Sequence, residues 1–212
     1  GRLVRVKKSV KKEFELGRIG WKLRGGPAVL FENVEGYRVP VITGVLNPSN
    51  QPYYFGLKDE ISLVQQFHDN LGKTIKPQMV NKGPCQEVVI TENINLLKTL
   101  PIPQHSPLDG GPYITIGVAI SKDPETGERS QSVNRMHVKG PDKTMIDIPP
   151  GIRRHKEIML NKAIKMNKPL ELAVAIGVDP AVSLTAGGIA GTSFQALAHV
   201  GYVDKYEVAG GL

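Results

Sequence analysis

The stretch that decides the fold runs Tyr113-Ile114-Thr115-Ile116-Gly117-Val118-Ala119-Ile120-Ser121, then Lys122-Asp123-Pro124-Glu125-Thr126-Gly127, then Ser130-Gln131-Ser132-Val133-Asn134-Arg135-Met136-His137-Val138. The first part alternates, with Ile114, Ile116, Val118 and Ile120 on one face of a strand. Asp123 to Gly127 has turn chemistry, so Ser130 to Lys139 is predicted to return as the antiparallel partner. Alternation on that return strand puts Gln131, Val133, Arg135 and His137 on one face and Ser132, Asn134, Met136 and Val138 on the other. Neither face is uniformly apolar. Arg135 is mid-strand beside Val133, where a guanidinium is expected to be partly desolvated unless an anion meets it. Its planar five-donor fork matches a carboxylate or phosphate; a structural ion pair with an acid elsewhere in the fold is the competing reading.

Working outward, Glu13 to Arg24 reads as a helix, with Leu16, Ile19, Gly20 and Leu23 forming one stripe before Gly25-Gly26-Pro27 stops it. Ala28 to Phe31 and Val39 to Thr43 are strand-like, and Pro40 assigns the latter to an edge or a strand entry. Lys58 to Leu71 is a second helix, with Ile61, Val64, His68 and Leu71 as its apolar stripe and His68 as a core or boundary histidine. Glu87 to Thr91 reads as a strand inside a stretch rich in proline and glycine. Pro101-Ile102-Pro103 resists both helix and central strand. The junction between an N-terminal domain (residues 1–95) and a β-rich second domain (96–212) falls in this region. A helix is predicted over Arg153 to Met166, and a buried strand over Leu172 to Val178.

Composition narrows the function classes. The net charge is +7, but Arg2, Arg5, Lys7, Lys8, Lys11 and Lys12 precede the first acid, which leaves +1 for the remaining 200 residues. A nucleic-acid binder would spread its cations over one face with aromatics among them; only 6% of this chain is aromatic and none cluster with the basic run. Cys85 is the only cysteine, so neither an internal disulfide nor a thiolate zinc cluster can form. No run of eighteen apolar residues exists, and the first residues lack the pattern of a secretory signal. No nucleic acid and no membrane are expected as partners, and the expected setting is the cytoplasm.

Two further segments suggest anion handling. Asp179-Pro180-Ala181, followed by Ala186-Gly187-Gly188-Ile189-Ala190-Gly191, reads as a glycine-rich turn whose backbone N–H groups could cradle phosphate, or as a plain surface loop. Pro149-Pro150-Gly151 leads into Arg153-Arg154-His155 at a helix start, where orphan N–H groups also favour anions.

Seven segments, taken in order, resemble the UbiD decarboxylases. They are Gly25 to Val34 with Gly36-Tyr37, Leu100 to Pro103, Asp109 to Thr115, Ser121 to Gly127, Val133-Asn134-Arg135, Ala173 to Ala181, and Tyr206 to Leu212. The resemblance implies an α+β fold: a small N-terminal α/β domain, then a split β-barrel flavin-binding domain, incomplete in this chain. It implies reversible, non-oxidative decarboxylation of an aromatic or α,β-unsaturated acid with prenylated FMN supplied by a flavin prenyltransferase. By position, Arg135 would contact the substrate carboxylate and lie over the flavin. Ser132, Val133, Ala186 and Gly187 would line the cofactor.

The family's flavin phosphate is held through a divalent metal, usually Mn2+, with K+ nearby, on an asparagine, a histidine and a glutamate. Ser130 falls at the asparagine position, His155 is nearest the histidine position, and the glutamate position falls in Asp204-Lys205-Tyr206. Hard divalent cations prefer carboxylate and other oxygen ligands, so this pattern departs from the family. The acids that would act with Arg135 lie beyond residue 212. The resemblance further implies a homo-oligomer, or a second subunit carrying the C-terminal part. A divergent homologue that keeps the fold without the metal–flavin cofactor is the alternative.

Overall fold

A basic strand, a helix and an apolar strand build the first sheet. The computed structural model describes residues 2–70, 78–148, 151, 155–187 and, as backbone, 207–209. β1 (Leu3–Val6) and β2 (Ala28–Phe31) are parallel, joined through α1 (Glu15–Lys22), and β3 (Val41–Thr43) runs antiparallel on the other side of β2. β3 is thus an edge strand, entered through Pro40 as its sequence requires. The apolar stripe of α1 turns onto β2: Leu16, Val29, Phe31, Val10 and Val34 form a buried core, with Ile19 and Leu23 packed against it. The basic first residues are not a loose tail. Arg5 lies on the opposite edge strand and pairs with Glu32 at 2.6 Å, and the Arg2 guanidinium just before it lies 3.4 Å over the Tyr53 ring.

Two short helices, α2 (Gln51–Tyr54) and α3 (Glu60–Asp69), follow. The expected stripe on α3 is corrected by the structure. Leu63 is the buried residue, whereas Ile61 is 80% exposed, Val64 is also exposed, and His68 is a surface residue rather than a core or boundary one. A strand expected over Glu87 to Thr91 does not form. β4 (Gln78–Val80) precedes it, a 3-10 turn occupies Pro84–Gln86, and Val88, Val89 and Ile90 are exposed. Branched apolar residues favour a strand only where a neighbouring strand accepts their backbone, and none does here.

After α4 (Leu96–Thr99), β5 (Tyr113–Lys122) and β6 (Arg129–Val138) form the hairpin expected from the sequence. They are the central pair of a four-stranded sheet in the order β7-β6-β5-β8, with β7 at Thr144–Ile146 and β8 at Leu172–Ala175. Both faces of β5 are covered, because Ala119 and Ser121 are as buried as Val118 while Ile116 is exposed. The expected buried strand over Leu172 to Val178 is instead a four-residue strand at the end of the sheet order, antiparallel to β5, with Leu172 and Val174 exposed. Two helices complete the described chain, α5 (His155–Lys165) and α6 (Pro180–Gly187), and β9 (Glu207–Ala209) pairs in parallel with β4.

The chain divides into two compact units that interleave in sequence. The first contains Gly1–Leu63, Ile90–Thr115 and Arg135–Met145; the second contains Val64–Val89, Ile116–Asn134 and Ile146–Leu212. In the first unit the Asp109-Gly110-Gly111 motif has a physical reason. His137 stacks on Tyr113 with ring centroids 4.4 Å apart, and a Cβ on Gly111 (φ +147°) would come within 2.7 Å of His137 Nε2. Only glycine leaves room for that ring.

Two substitutions test the core assignments. Phe31→Ala should cost about 3–5 kcal/mol in urea unfolding, as expected for a fully buried aromatic. Ile61→Ala should change stability by no more than about 0.5 kcal/mol; a loss of several kcal/mol would put Ile61 back in the core.

Candidate functional site

The Arg129–Asn134 part of β6 carries most of the candidate residues, and α5 and α6 of the same unit approach it. Ser130 and Gln131 are buried, Ser132, Val133 and Asn134 are half-buried, and Arg135 is exposed. The Ser132 hydroxyl donates to Asn134 Oδ1 at 2.7 Å, as two residues on one strand face can. It accepts from Lys156 Nζ, also at 2.7 Å, and the same ammonium donates to the Ala119 carbonyl at 2.9 Å. On the other side, Val133 Cγ2 lies 3.8 Å from the point where a Cβ on Gly187 of α6 would be.

No motif in the sequence points to Lys156. It is 5% exposed, and burial pulls its ammonium down to about 8 from an ordinary value of 10.5. A signal was available: Lys156, Met159 and Ala163 share one helical stripe, and all three are buried. A lysine on the buried stripe of a helix is unusual. Gln131 is a second such residue. It is 2% exposed, and neither amide atom has a hydrogen-bond partner among the described residues. Leaving such a group unpaired costs about 1–3 kcal/mol, which marks a place where a polar ligand edge would be welcome.

The hairpin turn is held from the same helix. Asp123 Oδ1 accepts from the backbone N–H groups of Glu125 and Thr126 at 2.9 and 3.1 Å, and its Oδ2 accepts from Lys162 Nζ at 2.8 Å. Lys162 also reaches Glu125 at 3.0 Å. The hydrogen bond from Lys162, followed by that from the Glu125 amide, holds the Asp123 carboxyl at about 2, below its ordinary 3.8. The same bond raises the Lys162 ammonium.

Two expectations about the site are corrected. The glycine-rich turn expected at Ala186 and Gly187 is the last turn of α6. Pro180 fits the first position of that helix, and Asp179 Oδ1 accepts from the Ala181 N–H at 2.8 Å, so the chain turns helical where a loop was expected. Ala186 is buried in this helix. Arg135 is not partly desolvated. It is exposed, and no ion pair or side-chain hydrogen bond holds it among the described residues, so the competing structural ion pair is not formed there.

For the metal positions, Ser130 is buried and His155 is exposed at the start of α5. Among the described residues no group of three or more His, Cys, Asp or Glu side chains could hold a metal ion. Pro149, Pro150, Arg153, Arg154, residues 188–191 and Asp204, Lys205 and Tyr206 lie outside the described residues.

Two family models match the chain, one after the other. Residues 1–71 match the 3-octaprenyl-4-hydroxybenzoate carboxy-lyase N-terminal domain, and residues 78–211 match the Rift-related domain of that enzyme family. The chain belongs to the UbiD family. A phenolic acid decarboxylase of Sedimentibacter hydroxybenzoicus is 32% identical to it over 228 residues, covering 100% of this chain and 45% of that protein. An anhydromevalonate phosphate decarboxylase of Methanothermobacter thermautotrophicus is 35% identical over 185 residues, covering 84% of this chain and 40% of that protein. Among solved structures, an evolved dimeric form of the UbiD-class enzyme HmfF from Pelotomaculum thermopropionicum, in complex with prFMN, matches with a TM-score of 0.89 at 33% identity. That match covers 100% of this chain and 50% of HmfF. The UbiD chain therefore spans about half the length of the relatives it matches, and its mixed α and β architecture is theirs.

The clamp on the hairpin gives a pH prediction. A carboxyl whose folded value is depressed contributes stability at pH above its unfolded value and loses it as pH falls through the folded one. Wild type and Asp123→Asn should therefore differ in thermal midpoint at pH 7 and converge as pH drops from about 4 to about 2. A constant gap across that range would mean that Asp123 is not the titrating clamp.

Proposed function

We propose that this UbiD chain contributes the N-terminal domain and the β6 wall of a prenylated-FMN-dependent carboxy-lyase acting on an aromatic or α,β-unsaturated carboxylic acid. The domain division proposed is residues 1–95 and 96–212. The observation that carries the reading is Arg135, an exposed guanidinium on β6 with no carboxylate partner among the described residues. A five-donor fork left open in this way suits an incoming carboxylate, which it can grip with two parallel N–H···O bonds. It keeps its charge throughout, so it orients the acid and stabilises its anionic form without giving up a proton.

The preceding residues of β6 fit a flavin. The unpaired amide of Gln131 can take a donor and an acceptor from a heterocycle edge, and the half-buried Val133 against Gly187 offers an apolar surface for a ring. Ser132 and Ala186 complete the proposed lining. When bound, prenylated FMN supplies a ring that takes up electron density as CO₂ leaves. The chain's own share is to orient the acid through Arg135 and to exclude water on the buried side of β6. A flavin prenyltransferase would supply the cofactor. The proposed assembly is a homo-oligomer, or a pairing with a subunit that supplies the rest of the relatives' length.

Mn2+ and K+ fit less well. Ser130 offers a neutral oxygen, His155 is at the surface, and among the described residues no group of three or more His, Cys, Asp or Glu side chains could hold a metal. This donor set is the observation that favours the second reading, a divergent homologue that keeps the fold without the metal–flavin pair.

Co-expression with a flavin prenyltransferase, followed by an absorption spectrum and mass measurement of released cofactor, separates the two readings. Bound prenylated FMN is expected; a colourless protein favours the second. Arg135→Ala should abolish decarboxylation and carboxyl exchange with CO₂ while changing stability by no more than about 0.5 kcal/mol, since the side chain is exposed. Persisting activity would remove Arg135 from its role. Manganese added during reconstitution should raise flavin occupancy if Ser130 and His155 still serve a metal, and leave it unchanged if they do not.

A further inference from the structure

Lys156 is an unusual residue in energetic terms. Its ammonium is buried with two neutral acceptors, the Ala119 carbonyl and the Ser132 hydroxyl, and with no carboxylate among the described residues. Burying a cation without a counter-ion is costly, and a chain usually pairs it or replaces it with an apolar residue. An ammonium also has three N–H donors, and only two have partners among the described residues. The third donor and the uncompensated charge face the same requirement, and one bound oxyanion would meet both.

The neighbourhood is built for such a group. Ser130, Ser132 and Asn134 alternate along one face of β6, and Ser132 of that row meets the ammonium at 2.7 Å. The Ser132 hydroxyl is already oriented by Lys156 on one side and Asn134 on the other.

We propose that Lys156 is a binding residue for an oxyanion of the bound ligand, distinct from the anion held by Arg135, with a phosphate monoester as the group that fits. This rests on the flavin reading for the identity of the ligand, because FMN carries a phosphate and riboflavin does not. The substrate carboxylate is the other source of an oxyanion, and the two are separable by experiment.

The test uses the intact protein without cofactor, as wild type, Lys156→Met and Lys156→Gln. Lys156→Gln keeps a donor for Ser132 and Ala119 but removes the charge. Binding of FMN, riboflavin, inorganic phosphate and benzoate is followed by fluorescence titration and thermal shift. The expected result is a loss of roughly ten-fold or more in FMN affinity in both variants, as for a charge-assisted hydrogen bond. Riboflavin affinity should stay unchanged, and the ligand-free thermal midpoint of Lys156→Met should be equal to or above wild type.

Equal losses for FMN and riboflavin, no loss for either, or failure of both variants to fold would make Lys156 part of the scaffold and overturn the proposal. A loss confined to benzoate would overturn the phosphate assignment and move the site to the substrate carboxylate. If wild type binds no flavin, the functional reading fails by itself. Inorganic phosphate then decides Lys156: stabilisation of wild type but not of the variants supports the site, and its absence in wild type overturns it.

Discussion

The Asp123 carboxylate is the constraint on which the arrangement of β6 depends. It gathers two backbone N–H groups of its own turn and one ammonium from α5, so hairpin and helix are fixed by one group. Register follows from that. A slip of one residue in β6 would exchange its two faces, moving Ser132 away from Lys156 and Val133 away from Gly187. An acid at a turn often does no more than cap local amides. Here it also decides which side chains of the following strand meet which helix.

Much of the architecture could be read from local pattern because the deciding signals were local. The β5–β6 hairpin announces itself by alternation and an Asp-Pro-Glu-Thr-Gly turn, and α1 by a stripe closed with Gly-Gly-Pro. The misreadings share a different cause. Val88-Val89-Ile90 and Leu172 to Val178 have the composition of strands, but whether such a run is buried depends on what lies beside it, and that is a long-range property. Asp179-Pro180 reads as turn chemistry, although proline serves equally well as the first residue of a helix, as it does in α6. On α3, two apolar residues face solvent while Leu63 alone is buried, so counting apolar spacings over a short helix selected the wrong face.

The site was legible to the extent that its groups are chemically conspicuous. Arg135 stands out as a cation in mid-strand, and it has no ion pair among the described residues. Lys156 and Gln131 were hidden for the opposite reason, since lysine and glutamine are ordinary on surfaces and only burial makes them significant. Composition does not report burial. Helical spacing does in part, and Lys156 could have been found by asking which residue on the α5 stripe did not belong there.

β8 has a practical consequence. Among the described residues it is a short strand at the end of its sheet order, with Leu172 and Val174 exposed. Such an edge is a template for another extended chain. Polypeptide corresponding to this stretch alone will tend to stick to copies of itself as its concentration rises. Preparations should therefore be kept dilute, or a lysine introduced at position 174 to make the border unattractive to a second strand.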